Sequence, residues 1–203
     1  MRRFPKSKLK EFEVFKKLNS PAKIQDFVDS IRINFGETCR SPLMALRHKE
    51  AHCVEGAMLA AAILWHQGKK PLLLDLETTV DDDSHVVALF KRKNRWGAIS
   101  KTNHAILRYR DPVYKTVREL AMSYFNEYFL DSGIKTLRNY SAPFSLLKYN
   151  EYWLTSKKSL RDIVKDLEKS EHFKILPNNG TRHLRLADPI ELKAGKLLLR
   201  RKK

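Results

Sequence analysis

Continuous apolar runs mark the centre of the chain. The longest run, 56–65, is built mainly of residues that favour helices, and it begins three residues after Cys53. We therefore predict a buried helix that starts at Cys53 and ends before Gly68, with Pro71 beyond it as a second stop signal. The next run, 71–76, has the length and continuity of a strand that is buried on both faces.

Two shorter runs predict a hairpin. Residues 85–90 form an apolar strand that opens with His85, and residues 96–100 form the returning strand after the basic turn 91–95. The centre of the chain is therefore predicted to be one buried helix followed by three strands.

Helical spacing of apolar residues dominates both flanks. Residues 1–18 carry such a pattern, and Ser20 and Pro21 are suited to the start of a helix predicted over 21–32. Further helices are predicted at 42–47, 113–129 and 159–167, and the basic end, 190–203, has an amphipathic pattern.

A chain of 203 residues is long enough for one well-buried domain and short for two. No internal repeat or clean linker divides it. We predict one compact domain with an N-terminal helical extension (1–40), a core (41–130) and a helical, basic C-terminal extension (131–203).

The cysteine content and the hydropathy of the chain indicate the cellular compartment in which it is expected. Two cysteines, Cys39 and Cys53, are too few for a disulfide framework and fit a reducing environment. The longest apolar run is too short to cross a bilayer, and no apolar segment follows Arg2 and Arg3 as in a secretory signal. A cytoplasmic protein without membrane contact is expected.

The net charge of +17 raises the question of a polyanionic partner. Basic residues concentrate in 2–17, 91–95 and 200–203, but no RNA-binding aromatic signature, zinc-finger spacing or recognition-helix pattern accompanies them. Contact with nucleic acid or another polyanion is therefore predicted only as an accessory property.

Cys53 and His85 are the candidate chemistry of the chain. A thiol in the first turn of a helix meets unpaired N–H groups and the positive end of the helix dipole, and both favour the thiolate. An imidazole at the start of a later strand could take the thiol proton and return it to a leaving group. The order of helix and strand favours this functional interpretation over two structural residues.

The stretch 48–52 raises a metal hypothesis. His48 and His52 resemble the histidine pair of a zinc-protease helix, but Glu50 stands one place too late for that motif. Because no third ligand is placed, we predict a loop that leads into the Cys53 helix and no metal or other cofactor. A zinc site formed with Cys53 and His85 is the alternative.

Segments 53–57, 83–90 and 96–100 resemble the transglutaminase-like superfamily, relatives of the papain-type cysteine proteases. In that family a Cys begins a helix, a His begins a later strand, and an Asp or Asn lies on the following strand. The resemblance extends over about 41–112. It implies an α+β fold in which the Cys-bearing helix packs on an antiparallel sheet, and a Cys-His site acting on amide or acyl substrates.

The third residue of the site departs from the family pattern. Counted from Trp96, the usual Asp falls on Ser100, which can accept the imidazole N–H but carries no charge. Asn103 has the papain-type side chain, and Asp83 could reach His85 from the same strand; we take Ser100 or Asn103 as the orienting residue. The family's upstream Gln has no counterpart, so the backbone N–H of the cysteine would be one oxyanion donor and the second is open.

Polar side chains are dense in 101–112, beside the proposed site. We predict a substrate rim there, in which an arginine could bind a carboxylate or phosphate through two hydrogen bonds. The candidate substrate-binding residues are Trp96, His104, Arg108 and Arg110. A solvated loop with a structural turn at Arg110 and Asp111 is the alternative.

Two functions follow from these residues. The first is a cysteine-dependent amidase, peptidase or acyltransferase that acts on a peptide, amide or small acyl substrate through a Cys53 thioester, with His85 as general base. The second is a catalytically inactive module of the same fold that contacts nucleic acid or another polyanion through its basic surface. The sequence does not indicate an oligomeric state.

Overall fold

The computed structural model of the chain describes residues 3–5, 9–177 and 180–199. The strands are β1 (Arg32–Ile33), β2 (Glu50–Ala51), β3 (Leu72–Thr78), β4 (His85–Arg92), β5 (Arg95–Ser100), β6 (Arg110–Tyr114), β7 (Leu137–Ser141), β8 (Phe144–Ser145) and β9 (His172–Lys174). Strands β3 to β9 form one sheet of order β6-β5-β4-β3-β7-β9, with β8 also paired to β3, and every pairing in it is antiparallel. Strands β1 and β2 pair in parallel as a separate short ribbon.

Helices cover this sheet. They are α1 (Pro21–Ser30), α2 (Pro42–His48), α3 (Cys53–His66), α4 (Val117–Met122), α5 (Tyr152–Thr155), α6 (Arg161–Glu168) and α7 (Pro189–Gly195). Single turns of 3-10 helix lie at Phe125–Glu127 and Leu146–Tyr149, and a longer one lies at Lys10–Lys17. The described part of the chain contains no helix that is both long and apolar enough to cross a membrane.

Helix α3 forms the centre of the core. Every side chain from Ala57 to Trp65 is at most 1% exposed, which explains why this helix is apolar on all sides. It packs against β4 and β5 on one side and against α1 and α2 on the other. Each buried Leu, Ile or Met stabilises the fold by about 1.5–3 kcal/mol, so the position of its first residue, Cys53, is fixed by many contacts.

Gly56 brings α3 close to the end of β5. A Cβ atom added at Gly56 would lie 2.3 Å from the Cβ of Lys101. The Lys101 side chain is buried, and its ammonium binds the carbonyls of Val28, at 2.9 Å, and Ile31 at the end of α1. A cation there complements the negative end of the helix dipole. Helices α1 and α3 and strand β5 therefore meet beside Cys53.

The opposite face of the sheet carries a second apolar cluster. Strand residues such as Leu74, Val87 and Ala98 pack there against Leu120 and Tyr124 of the α4 region. Alternate residues of β4 belong to the two clusters, so this strand is buried on both faces. The largely apolar composition of the central strands follows from this two-sided burial.

Several sequence predictions are confirmed. The class is α+β, and the Cys53 helix packs on a large antiparallel sheet. Helices α1 and α2 begin after Ser20 and Ser41, whose hydroxyls accept hydrogen bonds from the backbone N–H groups of Lys23 and Met44. Strands β3, β4 and β5 lie where the apolar runs predicted them.

Other predictions were wrong. The part 131–203, predicted as a helical extension, also supplies β7, β8 and β9, and β7 pairs with the central strand β3. The helix predicted over 113–129 is reduced to α4, because Arg110–Tyr114 pairs with β5 as strand β6. All of these strands are short, and β7 and β8 pair with β3 from a distant part of the sequence, which local spacing does not encode.

Candidate active site

A cleft of about 570 Å³ opens where α3 and β4 begin and where β5 ends. Its lining includes Cys53, His52, His85, Asn103, His104 and Tyr128. Cys53 is partly exposed to it, whereas Cys39 is buried and has a pKa that burial raises to about 12. Cys53 is therefore accessible from the cleft, whereas Cys39 belongs to the packed interior.

Two imidazoles surround the Cys53 thiol. Burial alone would raise its pKa, but hydrogen bonds from His52 and His85, and the charges of these rings, lower the pKa of Cys53 to about 5. The thiol also lies at the first position of α3, where backbone N–H groups without helical acceptors favour negative charge. The site is therefore built to hold a thiolate at neutral pH.

Ser100 holds the His85 ring. His85 Nε2 lies 2.7 Å from Ser100 Oγ, and the Ser100 hydroxyl donates its hydrogen to the Leu107 carbonyl at 2.5 Å. Because the only hydroxyl hydrogen is used in that bond, Ser100 accepts the Nε2–H of His85. This assignment leaves His85 Nδ1 for the thiol, as proton transfer between the two groups requires.

The second imidazole, His52, stands immediately before α3. Its Nε2 donates to the Thr38 carbonyl and lies 3.6 Å from Glu55 Oε1. Burial alone would lower the pKa of His52, but the hydrogen bond and charge of the Cys53 thiolate, together with Glu55, raise it. His52 is thus favoured in its protonated form beside the thiolate.

Glu55 is a buried carboxylate that fixes the loop before α3. One oxygen accepts from the Thr38 hydroxyl at 2.6 Å and the Arg40 N–H at 2.8 Å; the other accepts from Asn34 Nδ2 at 3.0 Å and the His52 N–H at 3.1 Å. Burial would raise the pKa of Glu55, but these bonds lower it. A fully bonded carboxylate therefore ties the loop to the first turn of α3.

Ser100 is itself held from two directions. Gln25 of α1 accepts the Ser100 N–H at 2.9 Å and donates to its carbonyl at 2.8 Å. Leu107, which accepts the Ser100 hydroxyl, has a positive φ of 59°, and its N–H is bound by Glu127 at 2.6 Å. A non-glycine residue in this conformation is strained, so the loop geometry is maintained by these bonds.

Tyr128 contributes an unusual polar atom. Its side chain is 2% exposed and lines the cleft, and its buried hydroxyl has no hydrogen-bond partner within the described structure. Burial raises the pKa of Tyr128 well above the ordinary value, and the charge of Cys53 adds to this effect. The cleft therefore contains a neutral phenol, close enough to sense the thiolate and free to donate.

The structure brings together some of the sequence-predicted residues. Ser100, rather than Asn103, is the hydrogen-bond partner of His85, and Asp83 lies at the cleft wall. Asn103 and His104 line the same cleft, where the Asn103 carbonyl accepts the Leu199 N–H and His104 Nδ1 lies 3.0 Å from the Gly195 carbonyl oxygen. Whether any of them binds substrate stays a prediction.

The other three predicted substrate residues lie elsewhere. Arg110 bonds Glu127 at 2.6 Å and stacks on Tyr124, and Arg108 lies 3.7 Å from Asp29. Neither arginine belongs to the lining of the cleft. Trp96 lines a separate cavity of about 620 Å³, where the Lys91 ammonium sits 4.2 Å from the centre of its ring.

Sequence reasoning missed four residues of the site. His52 was considered only as a metal ligand, although its position directly before Cys53 already placed an imidazole next to the thiol. Glu55 could have been recognised as the third residue of a capped helix. Gln25 and Tyr128 gave no signal, because they reach the site from distant segments.

The metal hypothesis finds no support in the described residues, which contain no group of three or more His, Cys, Asp or Glu side chains able to hold an ion. His48 ends α2 and is exposed, and it does not line the cleft. Comparison of the chain with protein-family models and with curated proteins yields no significant match. The resemblance to the transglutaminase-like superfamily therefore stays a prediction.

Proposed function

We propose that the protein is a cysteine-dependent hydrolase or acyltransferase that acts on an amide or peptide bond, on a papain-like or transglutaminase-like scaffold. The observation that carries this proposal is the Cys53 thiol, bonded by two imidazoles at a helix start in an open cleft. A structural thiol needs no such partners, as the buried Cys39 illustrates.

The reaction begins from the thiolate. Cys53 sulfur attacks the acyl carbon, the carbonyl π electrons move to oxygen, and a tetrahedral intermediate forms. Collapse of this intermediate breaks the carbon–nitrogen bond, and the imidazolium of His85 gives its Nδ1 proton to the leaving amine. A thioester on Cys53 remains, with His85 neutral and able to act as base.

The second half resolves the thioester. Neutral His85 removes a proton from water or from an acceptor amine as the oxygen or nitrogen attacks the acyl carbon. Expulsion of the sulfur regenerates the Cys53 thiolate beside a protonated His85. Water gives a free acid and defines a hydrolase, whereas an amine gives a new amide and defines an acyltransferase.

The two histidines have separate roles in this proposal. Ser100 orients His85 without adding charge, so this ring can lose and regain its proton. A buried carboxylate lies instead beside His52, where Glu55 favours the imidazolium. His52 thus stabilises the thiolate as a fixed positive charge, and His85 moves the proton.

Tyr128 completes the oxyanion hole. The backbone N–H of Cys53 is the first donor, as in other sites where the nucleophile begins a helix. The unpaired phenol of Tyr128 in the cleft wall is the second donor. Its hydroxyl then gains, in the intermediate, the partner that it lacks in the free protein, which favours the intermediate over the substrate.

The test is the pH dependence of Cys53 alkylation by iodoacetamide in a Cys39→Ser background. A midpoint well below about 8.5 that rises when either His52 or His85 is replaced by Ala supports the proposal. A midpoint near the free-thiol value contradicts it. The alternative, an inactive module of the same fold, predicts that ordinary midpoint together with salt-sensitive binding of nucleic acid.

A further inference from the structure

The C-terminal segment lies along the rim of the cleft. Helix α7 ends at Gly195, and the chain then turns across the loop that follows β5. Residues Leu192, Lys196 and Leu198 line the same cleft as Cys53. Any ligand that approaches the thiol from this side therefore meets the C-terminal segment.

This segment is paired with the loop by main-chain hydrogen bonds. The Ala105 N–H donates to the Leu197 carbonyl at 3.0 Å, and the Leu199 N–H donates to the Asn103 carbonyl at 2.8 Å. Both bonds flank the antiparallel bridge between His104 and Leu198. We call residues 103–105 the binding edge, because one carbonyl and one N–H, two residues apart, match any extended peptide.

The attachment of the segment is weak. No residue of α7 is buried, and Leu197, Leu198 and Leu199 are 63%, 44% and 55% exposed. The ion pair between Lys196 and Asp131, at 3.4 Å, joins two exposed side chains and stabilises little. Few apolar contacts would be lost if the segment left, so a competing strand can displace it.

Resting on the proposed function, we propose that the binding edge holds the main chain of an extended peptide substrate. Residues 197–199 of the chain occupy this edge until the substrate displaces them. Because Leu198 lines the cleft, the displacing peptide carries an apolar side chain at the same place. The substrate class is thus an extended peptide with an apolar residue near the bond that is attacked.

The experiment uses a fluorescein-labelled peptide with the sequence of residues 190–203 and measures its binding by fluorescence anisotropy. Leu199→Pro removes the N–H that binds Asn103, and Leu199→Ala is the matched control that keeps it. We expect Leu199→Pro to bind the peptide about fivefold to tenfold more tightly than wild type, because its own tail competes less. Leu199→Ala should bind like wild type.

Two further variants test the two partners of the pairing. A Cβ added at Gly195 would lie 2.9 Å from the Phe129 ring, so Gly195→Ala displaces α7 and should also tighten peptide binding. Ala105→Pro in the Leu199→Pro background removes the donor of the binding edge and should abolish the gain. An unchanged midpoint of Cys53 alkylation in that double variant verifies that the site is folded.

The outcomes separate this inference from the proposed function. Equal binding by wild type, Leu199→Pro and Gly195→Ala, or no binding by any of them, overturns the binding edge. Peptide binding does not need the thiol, so it should persist in Cys53→Ser. Tighter binding by Leu199→Pro and Gly195→Ala, together with an ordinary Cys53 pKa, would support the binding edge and contradict the proposed enzymatic function.

Discussion

Removal of the two imidazoles should return Cys53 to ordinary thiol chemistry. Its pKa is lowered to about 5 mainly through hydrogen bonds from His52 and His85, against the effect of burial. At pH 6 such a thiol is about 90% ionised, whereas one with a pKa of about 8.5 is only about 0.3% ionised. The thiolate fraction at pH 6 should therefore fall by at least about 300-fold when both rings are lost, because burial then raises the pKa without opposition from them.

The assay follows the alkylation rate of Cys53 between pH 4 and pH 10, with every variant in the Cys39→Ser background. The rate at each pH is divided by the high-pH plateau, which removes differences in access and intrinsic reactivity. His52→Ala and His85→Ala should each raise the midpoint, and the double variant should reach at least about 8.5, because the two rings no longer oppose the effect of burial. His48→Ala is the matched control, because this histidine is exposed and lies outside the cleft.

The two single variants also separate the roles of the rings. Ser100 holds His85 without charge, whereas Glu55 favours the protonated form of His52. Both variants should shift the alkylation midpoint, but only His85→Ala should abolish transfer of a proton to the leaving amine. A wild-type midpoint near 8.5, or midpoints that neither substitution moves, would refute the thiolate–imidazolium site.

Three further predictions concern the residues around the thiol. Tyr128→Phe should lower kcat on an amide substrate by about 10²–10³ and leave the alkylation midpoint unchanged, because it removes only an oxyanion donor; an unaltered kcat would exclude that role. Glu55→Gln should lower the raised pKa of His52, which a nuclear magnetic resonance titration of the ring measures directly, and an unmoved titration would show that the carboxylate is not coupled to it. Gly56→Ala should reduce the free energy of unfolding, measured by urea denaturation, by about 1–3 kcal/mol, since its Cβ would overlap the buried Lys101 side chain. Gly68→Ala is the control, because Gly68 has open space around it and a φ of +79°, so this variant should show only the cost of backbone strain.

The apolar pattern by itself determined the centre of the fold. Helix α3 and strands β3, β4 and β5 lie in predominantly apolar runs because each is largely buried on all sides or on both faces, so local composition already records their environment. The helix starts at Ser20 and Ser41 were also predictable from local sequence, since each serine hydroxyl accepts a hydrogen bond from the backbone N–H only three residues later. The order of Cys53 and His85 along the chain was also sufficient to nominate a nucleophile and a base.

Only the tertiary structure decided which groups meet these two residues. Ser100, rather than Asn103, binds the His85 ring because Gln25, a residue 75 positions away in the chain, fixes the end of β5. Tyr128 reaches the cleft from the segment after α4. Local spacing carries no record of contacts formed between such distant segments, and the same holds for the pairing of β7 with β3. The sequence therefore specified the candidate thiol, its helix and the candidate base, while long-range packing specified the groups that hold them.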